Sequence, residues 1–244
     1  MPRARRLLLH VGTHKTGTTS FQGNLIANRD ALRAKGVRHL RDKVYRNGKP
    51  REKMQPQHLT FGNIMVRDNL QITPRVMARV AALDSAGRAA RRARMAARIR
   101  DMPARDVLIS TEILCFLRTP EERDDLRAFI AATGREAQCV LVFRNTDDWR
   151  ASWEDQLRKY GDERYHRLTD WPEDQRLNGS WYYDKGAISS FWSDFNTTEI
   201  DYGAHDDIVT AIYDGFGIDW SGFETGHRDN LRGQPPSLAT PRTD

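Results

Sequence analysis

The sequence predicts an α/β fold: a mainly parallel sheet flanked by helices on both faces. Two observations carry that expectation. Short apolar runs of strand length, Leu7–Val11, Asp106–Thr111 and Ala137–Phe143, alternate with longer stretches of helical apolar spacing, the order expected of βαβ units. Three chemically loaded stretches, Gly12–Thr19, Ser110–Glu112 and Arg144–Ser152, each follow directly on one of these runs. In parallel sheets ligands bind outside the carboxyl ends of the strands.

The elements follow in order. Leu7–Val11 reads as a buried first strand ending in Gly12. From Thr18 the period becomes helical, with Phe21, Leu25 and Leu32 on one face and Lys35-Gly36 as the stop. Val37–Leu40 suits a short second strand, and the polar, basic stretch Arg41–Pro56 reads as a loop. After Pro74 a long helical region is expected, first with Val76, Val80 and Leu83, then as an Ala/Arg/Met-rich half from Arg88 to Arg100. Asp106–Thr111 is a strand with Glu112 at its end, and Pro120 opens a helix closed by Gly134. Ala137–Phe143 is the clearest strand. Asp147-Asp148 then open a helix carrying Trp149, Trp153, Leu157 and Tyr160. Gly161–Gly179 reads as an ordered loop, Ile188–Phe195 as a helix, Glu199–Tyr202 as a short strand, and Ile208–Phe216 as the last helix. The 244 residues suit one such domain over residues 1–232, with residues 233–244, rich in Pro, Ser and Thr, as a disordered tail.

Composition narrows the partners. Charged residues make up 30% and the net charge is +6, which favours anionic ligands. The basic excess is uneven, concentrated in arginines between Arg75 and Arg105, while Asp147–Asp174 is acid-rich. Cys115 and Cys139 each sit in an apolar run and read as buried thiols, which excludes a cysteine metal site. No metal site is expected from any other cluster. No segment is apolar for long enough to span a membrane, and Leu7-Leu8-Leu9 is too short for a signal peptide, so a cytoplasmic protein is expected.

Gly12 to Thr19, between a strand and a helix, has the composition of a backbone cradle for an anion. Glycines allow a tight turn, amides and the positive helix end face the anion, and Lys15 with the threonines adds donors. The loop is P-loop-like but departs from the ATP-binding pattern G-x-x-x-x-G-K-S/T. Thr18 follows Gly17, and the lysine stands two positions before that glycine.

His14-Lys15-Thr16-Gly17-Thr18-Thr19-Ser20 after a strand resembles the 5′-phosphosulfate loop of sulfotransferases that use 3′-phosphoadenosine 5′-phosphosulfate (PAPS), above all the bacterial and carbohydrate-type members. Arg144 at a later strand end and Ser152 eight residues on match the pair that holds the 3′-phosphate in that family. The resemblance implies a sulfotransferase-type sheet, with Lys15, Thr16, Gly17, Thr18, Thr19, Ser20, Arg144 and Ser152 binding PAPS. It implies transfer of the sulfuryl group to a hydroxyl or amine, with 3′-phosphoadenosine 5′-phosphate (PAP) as product. Lys15 would stabilise the leaving phosphate. Glu112 is the expected base, with His14 and His58 as rivals. An anionic saccharide is an expected acceptor, with the arginines to recruit it and Trp171, Trp181, Tyr182 and Tyr183 to stack on a sugar or arene. The alternatives are a nucleotide kinase of P-loop type and a non-enzymatic nucleotide- or nucleic-acid-binding protein. DNA or RNA is not expected, because no nucleic-acid motif accompanies the arginine-rich helix.

Overall fold

The computed structural model describes residues 4–46, 49–55, 58–70, 72, 83–159, 172–173 and 179–224. Five strands form one sheet: β1 (Arg6–Gly12), β2 (Val37–His39), β5 (Asp106–Ser110), β6 (Glu136–Phe143) and β7 (Thr197–Asp201). Their order is β2-β5-β1-β6-β7, and every pairing is parallel. β1 is central and buried along its whole length. The chain leaves β1 toward β5 and β2, then crosses to β6 and β7 on the other side. The ends of β1 and β6 therefore flank the point where strand order reverses, which is where such sheets open a crevice.

Strand alternation sorts the side chains into two cores. Leu7, Leu9 and Val11 of β1, Val107 and Ile109 of β5, and Cys139, Leu141 and Phe143 of β6 share one core. It is covered by α3 (Leu59–Met65), α4 (Ser85–Arg100), α5 (Pro120–Thr133), α6 (Thr146–Lys159) and α7 (Lys185–Trp192). Leu8, Leu108, Val140 and Val142 face the other core, under α1 (Thr18–Ala27), α2 (Arg29–Ala34) and α8 (Ile208–Gly215). Helices thus lie on both faces, as expected. The α5 boundaries also match their signals: Thr119 and Glu122 form a capping box, Pro120 leads the first turn, and Gly134 closes the helix at φ 61°.

Several local expectations need correction. Most of the stretch Arg41–Pro56 is strand rather than loop. Asp42–Arg46 (β3) and Lys49–Gln55 (β4) pair as an antiparallel hairpin, and the Asn47-Gly48 dipeptide between them is a strong hairpin signal in sequence. The first helical stretch is two helices, parted at Asn28. There the Asn28 side chain accepts from the Glu224 amide and donates to the Glu224 carbonyl, anchoring a segment 196 residues away. Helix α3 was not read from the sequence. After β5 the chain runs on as a 3-10 turn, Glu112–Phe116, capped by Thr111. The helix expected around Val76 and Val80, most of the loop 161–179, Tyr160 and the tail 233–244 lie outside the described residues.

Candidate functional site

The loop after β1 is shaped by its hydroxyls and glycines. The amide and hydroxyl of Thr13 both donate to the Val142 carbonyl, at 3.1 and 3.2 Å, tying the start of the loop to β6. Thr16 Oγ1 donates back to the Thr13 carbonyl at 2.6 Å. A Cβ on Gly12 would stand 2.5 Å from Thr18 Oγ1, so only glycine lets the loop fold back here. Gly17, at φ 76°, is the N-cap of α1 and supplies no side-chain acceptor. No N-cap side chain therefore closes the first turn of this ten-residue helix, whose positive end faces the loop. Lys15 has φ 69° and is the one non-glycine residue with positive φ among the described residues. Such strain persists where surrounding structure enforces it, often at binding sites.

Lys15 Nζ donates to Gln156 Oε1 on α6 at 3.3 Å. Arg144, just beyond β6, donates from Nη1 to the Lys15 carbonyl at 3.2 Å. Its guanidinium carbon lies 5.2 Å from the centre of the Tyr202 ring, and its Nε is buried without a hydrogen-bond partner. The two motifs read separately in the sequence are thus joined through the loop backbone. Thr16 and Thr18 are buried, Gly17 and Ser20 half-buried, and Thr19 exposed. Ser152 is half-buried in the second turn of α6, and no hydrogen bond joins it to Arg144.

Glu112 and His14 meet at the end of β5. Glu112 Oε2 is 3.8 Å from His14 Nε2, the two side chains being 21% and 12% exposed. Burial raises the Glu112 carboxyl to about 7, although the Thr18 hydroxyl and the Lys15 charge oppose the rise. His14 is pushed down to about 3 by burial and then by Lys15. Its ring is boxed by Phe116, Trp153 and Tyr182, with centroids 5.5, 4.6 and 5.8 Å away. At neutral pH this is a partly ionised carboxyl beside a neutral imidazole. Glu112 has no arginine partner among the described residues. His58 instead caps α3, its Nδ1 accepting from the Phe61 amide.

Three features were not legible from motifs. Gln156, which steadies Lys15, lies one turn beyond Ser152 on the same helix. Tyr202 underlies Arg144 only because β7 neighbours β6. His10 on β1 is fully buried beneath the loop, its Nδ1 2.8 Å from Ser110 Oγ, while Gln22 Nε2 donates to that same hydroxyl at 3.1 Å. A correction also arises. Tyr182 and Tyr183 are not offered to a ligand but buried in the core against Trp149. Trp181 lies under the guanidinium groups of Arg67 and Arg118, and Trp171 is outside the described residues.

No protein-family model matches the chain, and no curated protein matches it in sequence. Among solved structures, a gluconokinase from Sinorhizobium meliloti 1021 is similar at a TM-score of 0.38 and 14% identity, covering 88% of this chain and 93% of that one. No helix among the described residues is long and apolar enough to cross a membrane.

Proposed function

We propose that the chain is a PAPS-dependent sulfotransferase acting on a hydroxyl or amine. One observation supports this reading above the rest: Arg144 is hydrogen-bonded to the carbonyl of Lys15. That contact sets a guanidinium with a buried, unpartnered Nε beside a glycine cradle at the sheet's switch point. Two cationic groups at neighbouring strand ends suit a nucleotide that is phosphorylated at both ends of its ribose. A plain P-loop would not require the second group.

When bound, PAPS supplies the sulfuryl group and a phosphate leaving group. The amides at the start of α1, with Thr16, Thr18 and Thr19, would hold the 5′ end, and Arg144 with Ser152 the 3′-phosphate. Lys15 is fixed by Gln156 at the loop and places positive charge where negative charge grows on the leaving group. Glu112 is the better-matched base. A carboxyl near 7 accepts a proton at physiological pH, whereas a ring held near 3 binds one poorly. His14 then serves as a neutral wall that keeps Glu112 in place.

Isothermal titration with PAP tests the reading. Binding at least tenfold tighter than AMP is expected, roughly the worth of one phosphate–guanidinium contact, and Arg144→Ala should abolish that preference. Equal affinity for PAP and AMP would sink it. A magnesium-dependent phosphotransferase is the second reading, favoured by the Glu112 carboxyl next to Thr18, where a metal–phosphate group could be held. Tighter binding of Mg²⁺-ATP than of PAP in the same titration would select it.

A further inference from the structure

A second cationic centre lies away from the loop, at the outer edge of the sheet. A cavity of about 70 Å³ beside β2 is lined by Arg29 and Arg33 of α2, Arg38 of β2, Arg41 just beyond it, and Arg98 of α4, with His39 in its wall. Asp30 is the acid that answers Arg29 and Arg33, at 3.7 and 3.3 Å, and it is almost wholly exposed. Among the described residues, Arg38, Arg41 and Arg98 have no acidic partner. The arginines elsewhere on this side are used differently. Arg105 is tied to Asp106 and the Lys35 carbonyl, and Arg135 to four backbone carbonyls.

Five guanidiniums around one opening repel one another. Arg41 shows it: burial, then the charges of Arg29, Arg33 and Arg38, depress its pKa. Charge on an edge strand does discourage pairing with another sheet. That role needs outward-pointing charges on β2 alone, however, and not a concavity gathered from three separate segments. The opening suits one tetrahedral oxyanion, and guanidinium forks match its paired oxygens.

We propose that this pocket is an anion-binding site, distinct from the loop after β1, that takes a sulfate or phosphate ester group. The group can come from a sulfated saccharide or from a free ion, and the two sources separate experimentally. The full chain is titrated with a heparin-derived hexasaccharide and, in parallel, with inorganic sulfate and inorganic phosphate. The expected result is salt-sensitive binding that Arg38→Ser/Arg41→Ser weakens by about tenfold or more. Arg127→Ser, at an exposed arginine paired with Asp194 and outside both sites, should leave it unchanged. Arg38 is exposed and Arg41 half-buried, and an unaltered melting temperature verifies that the double variant is folded. Saccharide binding with little response to the free ions assigns a polyanionic chain, and comparable binding of the ions assigns a single oxyanion. Hexasaccharide affinity unchanged in the double variant, an equal loss in Arg127→Ser, or no binding of any of the three probes overturns the proposal. The PAP titration reports on the loop and the Arg38/Arg41 variant on this pocket, so failure here leaves the sulfotransferase reading untouched, and the converse holds.

Discussion

Glu112 Oε2 stands 3.8 Å from His14 Nε2, yet the two do not form an ion pair at neutral pH. Burial moves their pKa values past each other, the carboxyl up to about 7 and the imidazole down to about 3. The state left near pH 7 is a carboxyl poised to exchange a proton beside a ring that stays neutral. An activity that depends on Glu112 as base should rise with pH through about 7. Glu112→Gln should remove that limb and most of the turnover, read as kcat across pH 5–9.

The same carboxyl should leave a stability signature. Its folded pKa lies above the ordinary value of 4.5, so the folded state holds the proton more tightly than the unfolded chain. Its contribution is complete below pH 4.5 and is lost as pH rises through 7, at most about 3 kcal/mol. Glu112→Gln should therefore gain on the wild type between pH 5 and pH 8 in urea melts. A constant difference across that window would contradict the raised pKa.

His10 should act with the opposite sign. It is fully buried and held near pKa 3 by burial, well below the ordinary 6.5. Below pH 6.5 the unfolded chain takes up a proton that the folded state refuses, so stability falls with acid. The loss is about 2 kcal/mol between pH 6.5 and pH 5. Denaturation at these two pH values should show His10→Gln losing less than the wild type. Equal losses would mean that His10 is protonated in place.

The loop's backbone makes a paired prediction. Gly17→Ala forces a Cβ to within 2.7 Å of Ile208 Cγ2 at φ 76° and should cost about 2–3 kcal/mol along with anion binding. Lys15→Gly relieves a left-handed non-glycine residue and should gain about 0.5–1 kcal/mol while weakening nucleotide binding. Opposite shifts in melting temperature with a shared loss of PAP affinity are the expected pattern.

At the far end of the sheet, Arg6 grips the fully buried Asp106 through two hydrogen bonds, 2.6 and 3.1 Å. Burial alone would raise the Asp106 pKa, but Arg6 and then Arg105 bring it below the ordinary value. Arg6→Met leaves a buried carboxylate short of its main partner and should cost about 3–5 kcal/mol. Lys35→Met, at an exposed pair with Asp219, should change far less. Urea midpoints of the two variants give the comparison.

Much of this was legible because it is local. Continuous apolar runs mark β1, β5 and β6, a capping box and a glycine bound α5, and the Gly/Thr-rich composition after β1 marks a tight loop leading into a helix. These signals depend on neighbours within a turn or two of chain. The break at Asn28 was not legible, because its cause is Glu224. Nor was the use of Tyr182 and Tyr183, since an aromatic residue reads the same in sequence whether it meets a ligand or a core.

Local pattern is enough for the alternation of strands and helices, the Gly/Thr-rich loop from Gly12 to Thr19, and the position of Arg144 and Glu112 at strand ends. Tertiary structure alone decided that Arg144 holds the Lys15 carbonyl, that Glu112 and His14 share a site, and that five arginines open on one cavity. The reason is physical. Hydrogen bonds between segments over a hundred residues apart, and pKa values set by burial, depend on the strand order β2-β5-β1-β6-β7, and no local pattern encodes which strands become neighbours.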